Sequence, residues 1–113
     1  MKVKWCHIHC FYLYLENAEM SPTVLKRALQ SLKYKGVFKH CNGLLFGRNA
    51  VVDNGGKAIS SEQAFLSVAK DLDIPVVYDV DIGHLSPNMT LLNGAFTEVF
   101  VSSSTGKIQQ TLK

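Results

Sequence analysis

Four places along this chain carry side chains that could do chemistry: Cys6-His-Ile-His-Cys10, Glu16, Cys41 and Gly83-His84. Cysteine and histidine are favoured zinc ligands, so the first cluster is a candidate metal site. In a strand, however, Cys6 and Cys10 face one side while His7 and His9 face the other. All four converge only on an irregular backbone, and a strand with incidental thiols is the simpler reading. His84 lies beyond the apolar run Val76-Val-Tyr78 and is followed by Leu-Ser-Pro87. A neutral imidazole there can take a proton from a nucleophile when a carboxylate holds its other ring nitrogen. Asp79 and Asp81 are carboxylates near it in sequence; Glu16 is one that folding could bring near it in space. Glu16 stands where the apolar run Cys10-Phe-Tyr-Leu-Tyr-Leu15 ends, and functional residues of open α/β sheets gather at such carboxyl ends of strands. On position alone, an ordinary loop carboxylate and a surface or capping histidine are the simpler descriptions of Glu16 and His84.

A nucleophile is harder to find. Ser86 is only two residues from His84, and no Gly-x-Ser-x-Gly elbow occurs. Cys41 has no evident electropositive setting to lower its pKa. Gly47-Arg48 and Gly55-Gly56 fit neither a P-loop nor a dinucleotide fingerprint.

The elements that must position these groups can be read from periodicity and punctuation. The run Cys10 to Leu15 is apolar almost throughout, which predicts a strand buried on both faces. Ser21-Pro22 is a helix start, with Ser as cap and Pro at the first helical position. Val24, Leu25, Ala28, Leu29 and Leu32 then recur at helical spacing, and Gly36 supplies a stop. Gly43 to Arg48 predicts a second short strand and Asp53 to Lys57 a loop. Ser60 and Gln63 form a capping-box pair opening a second helix, with Phe65, Val68, Ala69 and Leu72 as its stripe. Ile74-Pro-Val-Val-Tyr78 predicts a third strand, Pro75 lying near its start. This strand–helix rhythm implies a parallel core. Beyond it, Asn93-Gly94 between Met89–Leu92 and Ala95–Val101 is a hairpin signal, and Ser104-Thr-Gly106 turns the chain again. The fold class expected is α/β: one compact domain over residues 1–113, a mixed sheet with two main helices, and a C-terminal antiparallel hairpin region.

Composition sets the outer limits. The 113 residues are 47% hydrophobic and 19% charged, which suits a globular domain with one core rather than a disordered tail. A net charge of +3 spread over scattered lysines is no nucleic-acid footprint, and no apolar run reaches a membrane span of about 20 residues. Met1-Lys-Val-Lys before an apolar run superficially suggests a signal peptide, but His7 and His9 interrupt the run and no small-x-small cleavage site follows. Three cysteines without zinc-like pairing read as reduced thiols of a cytoplasmic protein.

Several ordered segments resemble the LD-carboxypeptidase family of serine peptidases. Leu13-Tyr-Leu-Glu16-Asn-Ala-Glu19 resembles its strand followed by Leu-Glu. Gly36-Val-Phe38 and Asn42-Gly-Leu-Leu-Phe-Gly-Arg48 resemble its G-V-F … G-L-L-x-G-R segment. Ile74-Pro-Val and Gly83-His84-Leu-Ser-Pro87 resemble its I-P-V … G-H-x-x-P segment. One departure is Thr90-Leu-Leu-Asn-Gly94, where the family often has T-L-P-x-G; this form draws the chain toward the branch of microcin C immunity peptidases.

The resemblance implies a Ser-His-Glu triad, a swivelling-domain-like fold and no cofactor or metal. Its histidine and glutamate fall on His84 and Glu16, which selects Glu16 over Asp79 and Asp81. Its serine belongs to an N-terminal domain absent from this sequence. The expectation is therefore a C-terminal domain that is inactive alone, with the nucleophile-bearing domain as partner and a murein tetrapeptide or a peptidyl-nucleotide as substrate. A homodimer is a further partner to be tested, with no role for nucleic acid or membrane. The competing expectation is a free-standing, non-catalytic α/β domain that binds a peptide or a partner chain.

Overall fold

The computed structural model describes residues 2–3, 11–51 and 59–112, the first two by backbone alone. The Cys6-to-Cys10 cluster and the Asp53-to-Lys57 loop lie outside the described residues. In chain order the elements are β1 (Lys2–Val3), β2 (Phe11–Leu15), α1 (Pro22–Tyr34), a 3-10 turn (Val37–His40), β3 (Cys41–Gly47), α2 (Ser61–Ala69), β4 (Val76–Val80), β5 (Phe96–Val101) and β6 (Gly106–Thr111).

Both helices begin where their capping residues dictate. Ser21 has an extended backbone and its Oγ accepts from the Val24 N–H at 3.5 Å, with Pro22 opening α1. At its far end Gly36 adopts φ 78°, a left-handed conformation that glycine takes without steric penalty. Ser60 closes a full capping box: its Oγ accepts from Gln63 N–H at 3.1 Å, and Gln63 Oε1 accepts from Ser60 N–H at 2.8 Å.

Parallel and antiparallel strands are both present, as expected, but they segregate into two sheets. β2, β3 and β4 form a parallel sheet in that order, joined through α1 and α2. β1, β5 and β6 form an antiparallel sheet with β5 in the centre. The result is three layers with the parallel sheet in the middle. Its helix-facing side carries Leu13, Leu15, Leu44, Phe46 and Val76 against Leu25, Leu29, Phe65 and Val68. Its other side carries Tyr12, Leu45 and Val77 against Val99, Val101 and Ile108 of the antiparallel sheet. The alternation follows from the period of two along a strand. Each fully buried Leu, Phe or Val contributes about 1.5–3 kcal/mol of transfer free energy.

Three expectations change in detail. β2 is only half buried, with Phe11 and Tyr14 exposed, because it is the edge strand of its sheet. Val24 is 46% exposed: the buried stripe of α1 narrows to Leu25 and Leu29, with Leu32 packed beside them. Asn93-Gly94 is a turn, with Gly94 at φ 80°, but Met89–Leu92 is not a strand. Both edges of β5 are already taken, by β1 and by β6, so residues 89–92 have no edge to join. The Leu92 backbone is held instead by the Gln110 side chain, through Leu92 N–H to Oε1 at 2.8 Å and Nε2 to Leu92 O at 3.1 Å. The hairpin that does form is β5–β6, around Ser102 to Thr105.

Candidate active site

Glu16 is the first residue beyond β2. The parallel register pairs Leu15 with Phe46, which sets Glu16 beside Gly47 at the end of β3. A Cβ at Gly47 would lie 3.0 Å from Glu16 Cβ and 2.6 Å from the Ile82 carbonyl. The chain leaving β4 therefore crosses Gly47 in the space a side chain would need.

That crossing is set up by a bulge. Leu45 pairs with Val77 but Gly47 pairs with Val80, so β4 carries one extra residue over this stretch. Asp79 absorbs it at φ 57°, in the left-handed region, where aspartate is among the few residues tolerated. The extra residue inverts the parity of the strand. Val76 faces the helices and Val77 the antiparallel sheet, and Val80 and Ile82 then both join the core on the antiparallel side. A tight turn follows, with Ile82 N–H donating to Val80 O at 2.7 Å. Gly83 comes next at φ 102°, and a Cβ there would sit 2.7 Å from Glu16 Oε2.

His84 then meets Glu16. Nδ1 lies 2.9 Å from Glu16 Oε2, across 68 positions of sequence. An ionised carboxylate only accepts, so Nδ1 carries the proton and Nε2 of the neutral ring is left with its lone pair. The histidine side chain is 64% exposed and the glutamate 29%. The pair is thus open to solvent on the histidine side, with the carboxylate holding one ring nitrogen and leaving the other uncommitted to Glu16.

The other sequence candidates are placed elsewhere. Asp81 pairs with Arg48, Nε to Oδ1 at 3.0 Å, and Asp79 occupies the exposed bulge. Ser86 is exposed on the His84 loop. Cys41 is buried, its Sγ donates to Val37 O at 3.3 Å, and burial pushes its thiol pKa up, which disfavours the nucleophilic thiolate. Cys6, His7, His9 and Cys10 lie outside the described residues. Among the described residues, no three His, Cys, Asp or Glu side chains are grouped to hold a metal. No described helix is long and apolar enough to cross a membrane.

Two polar systems that sequence reading did not single out hold the strand ends together. Asn17 is 1% exposed and fully bonded. Its Nδ2 donates to Met20 O and Asn49 Oδ1, both at 2.8 Å, and its Oδ1 accepts from Met20 N–H at 2.9 Å. Its carbonyl accepts from Ala50 N–H at 2.9 Å. The loop after β2 is thereby fastened to the loop after β3. Arg48 reaches the opposite way, donating from Nη2 to Leu85 O at 3.3 Å and to Pro87 O. Asn17, Arg48 and Asn49 each follow the end of a strand, and Asn17 and Arg48 fall within segments resembling the family, but neither signal pointed to these contacts. A groove of about 510 Å³, lined in part by Asp79, Asp81, Met89, Phe100 and Lys107, borders the same loop; neither Glu16 nor His84 lines it.

Comparison with known proteins places this geometry in context. The sequence profile of the family described as LD-carboxypeptidase C-terminal domain matches residues 8–99. No curated protein sequence matches the chain. Among solved structures, muramoyltetrapeptide carboxypeptidase from Oxalobacter formigenes superimposes with a TM-score of 0.78 at 20% identity, covering 91% of this chain and 36% of that one. The microcin C7 self immunity protein MccF, as an inactive mutant in the apo state and in complex with glutamyl sulfamoyl guanosine, gives a TM-score of 0.60 at 25% identity. That match covers 71% of this chain and 24% of MccF.

Proposed function

The chain belongs to the LD-carboxypeptidase C-terminal domain family, and from that premise we propose that it carries the base and the orienting carboxylate of a serine-type amide hydrolase. The observation that carries this reading is the 2.9 Å contact between His84 Nδ1 and Glu16 Oε2. His84 Nε2 takes the proton of a serine hydroxyl as its oxygen attacks the amide carbonyl. Glu16 holds the ring and stabilises the imidazolium that results. The same proton passes to the departing amine as the C–N bond breaks, leaving an acyl-serine. Water then attacks the ester, again giving its proton to Nε2, and serine is restored as the carboxylic acid leaves. General-base action of this kind contributes about 10²–10⁴-fold.

The serine, in this reading, comes from a region outside residues 1–113, which correspond to only 36% of the Oxalobacter enzyme. The surroundings of His84 support a covered site. Leu85, Met89 and Leu92 are exposed apolar side chains on the segment that carries it, and exposed apolar surface of this kind suits a face that another domain covers. Such a cover also excludes water, which strengthens the electrostatics of the pair. The substrate classes in this reading are those the family resemblance implies: the L,D-peptide bond of a murein tetrapeptide, or a peptidyl-nucleotide amide.

The test is hydrolysis of both substrate classes by this chain alone and by this chain fused behind the serine-bearing domain of the Oxalobacter enzyme. The chain alone is expected to be silent, and the folded fusion to hydrolyse one class. His84→Ala and Glu16→Gln should each lower its kcat, the first more than the second. A fusion whose rate survives His84→Ala, or a folded fusion without hydrolysis of either class, overturns the reading.

A further inference from the structure

His84 owes little of its placement to packing. Residues 84–90 are all exposed, so the loop buries too little apolar surface to hold one conformation. On its N-terminal side the loop is anchored by Ile82, which is buried in the core between the sheets. Asn88 Nδ2 donates to Gly83 O at 3.2 Å and Met89 N–H to Asp81 O at 2.7 Å. Those bonds close the loop on itself but do not attach it to the sheet.

Arg48 makes the attachment. Its backbone is fixed by the sheet, with its N–H donating to Val80 O at 3.1 Å. Its guanidinium then brackets His84. Nη2 donates to the carbonyls of Leu85 and Pro87, one and three residues beyond the histidine. Nε lies 3.0 Å from the carboxylate of Asp81, three residues before it. That Nε–H is buried and not aimed at an acceptor, so the two loop carbonyls, rather than the carboxylate, set the plane of the guanidinium. One terminal nitrogen, Nη2, takes both carbonyls while the rest of the guanidinium keeps its charge beside Asp81; a lysine ammonium keeps the charge but ends one bond short of Nη2, so it cannot sit beside the carboxylate and hold both carbonyls in the same way.

We propose that Arg48 is a positioning residue: by latching the far arm of the loop to the end of β3, it sets the His84 imidazole against Glu16. The inference rests on the reading of His84 and Glu16 as a catalytic pair, but its test does not require catalysis. In the full chain with ¹⁵N-labelled imidazoles, the neutral His84 ring is expected in the Nδ1–H tautomer that Glu16 selects. His84→Gln assigns its signals and Glu16→Gln gives the spectrum of the released ring. Arg48→Met keeps the aliphatic stem and Arg48→Lys keeps the charge; both are expected to move His84 toward that released spectrum while His40 stays unchanged. Lys33→Met, which removes the surface ion pair to Asp71, should leave His84 as it was.

A His84 spectrum unchanged in Arg48→Met and Arg48→Lys overturns the proposal. Should Arg48→Met lose its amide dispersion and fail to fold, Arg48→Lys decides alone in the same way. In the serine-bearing fusion, either variant should lower kcat by about 10²-fold with KM little changed, as expected for a misplaced catalytic group. A fusion that is inactive with the native sequence defeats the proposed function, while the imidazole spectra still decide the role of Arg48.

Discussion

Two regions of this fold are built on different physics. The helix-facing side of the parallel sheet is held by area: Leu25, Leu29, Phe38, Leu44, Phe46, Phe65 and Val68 are buried together, and Phe46 and Phe65 stack with ring centroids 4.3 Å apart. The carboxyl rim of the same sheet is held by direction. Asn17 with Asn49, Arg48 with the Leu85 and Pro87 carbonyls, and Glu16 with His84 are each a few polar contacts at short range. Area is tolerant of small shifts and expensive to lose; direction contributes little stability and fails with small shifts. The stable layer is thus the scaffold and the rim is where chemistry can be arranged.

The largest expected effects lie in the scaffold. Leu44→Ala or Phe65→Ala should lower unfolding free energy by about 3–5 kcal/mol, since each leaves a cavity in a packed layer. Leu44 is 1% exposed and Phe65 3%, so neither site can relax toward solvent. Chemical denaturation of the 113-residue chain measures this directly. A loss under about 1 kcal/mol at both positions would mean that the two regions do not differ as argued.

Next come the two glycines at the border. Gly83→Ala puts a side chain at φ 102° and a Cβ 2.7 Å from Glu16 Oε2. Gly47→Ala drives a Cβ to 2.6 Å from the Ile82 carbonyl, which cannot swing aside as a side chain end could. Strain of this sort is worth about 1–3 kcal/mol, and both variants should lose the Nδ1–H signature of His84. An alanine at Gly83 that keeps that signature would show that close approach is not what brings the glutamate to the histidine.

These positions also mark the limit of what sequence conveys here. Capping residues act locally, so Ser21-Pro22, Gly36 and the Ser60–Gln63 box announced both helices in one dimension. Strand partners do not: Asn93-Gly94 has the composition of a hairpin turn, yet β1 and β6 occupy the edges it would have needed. The bulge at Asp79 left no trace either, because aspartate rather than glycine occupies the left-handed position. For the site, Asp79, Asp81 and Glu16 were equivalent as carboxylates near or far; resemblance favoured Glu16, and a parallel register plus one extra residue in β4 is what puts its oxygen beside Nδ1. Arg48 was legible as the end of a strand segment resembling G-L-L-x-G-R, but its contacts were not, since three contacts spread over Asp81 to Pro87 have no spacing of their own to read.

A smaller effect tests the interior electrostatics. Burial raises the Cys41 thiol above its ordinary pKa, and burial, then the Glu98 carboxylate, raises the Tyr12 phenol. A group whose folded pKa is raised stabilises the fold fully below its unfolded value and loses that contribution as pH climbs through the folded one. Stability should therefore fall between neutral and alkaline pH. Tyr12 acts with the same sign, so the slope that disappears in Cys41→Ala isolates the thiol. An identical pH slope in wild type and Cys41→Ala would place Cys41 in contact with solvent rather than in the sheet's core.

The smallest effect is the most informative about the rim. His84→Ala removes a side chain that is 64% exposed and joined to one carboxylate. Even a fully charged pair at such exposure contributes at most about 1 kcal/mol, and substitutions at such positions usually stay within about 0.5 kcal/mol. Denaturation midpoints of His84→Ala and wild type should therefore nearly coincide. The fold nevertheless spends a left-handed aspartate, two side-chain-free crossings and an arginine latch on placing this ring against Glu16. If stability is indifferent to His84, that organisation has no folding purpose, and the imidazole is there for its chemistry. A loss of several kcal/mol would reverse the argument and make the Glu16–His84 contact a structural tie between the β2 and β4 loops.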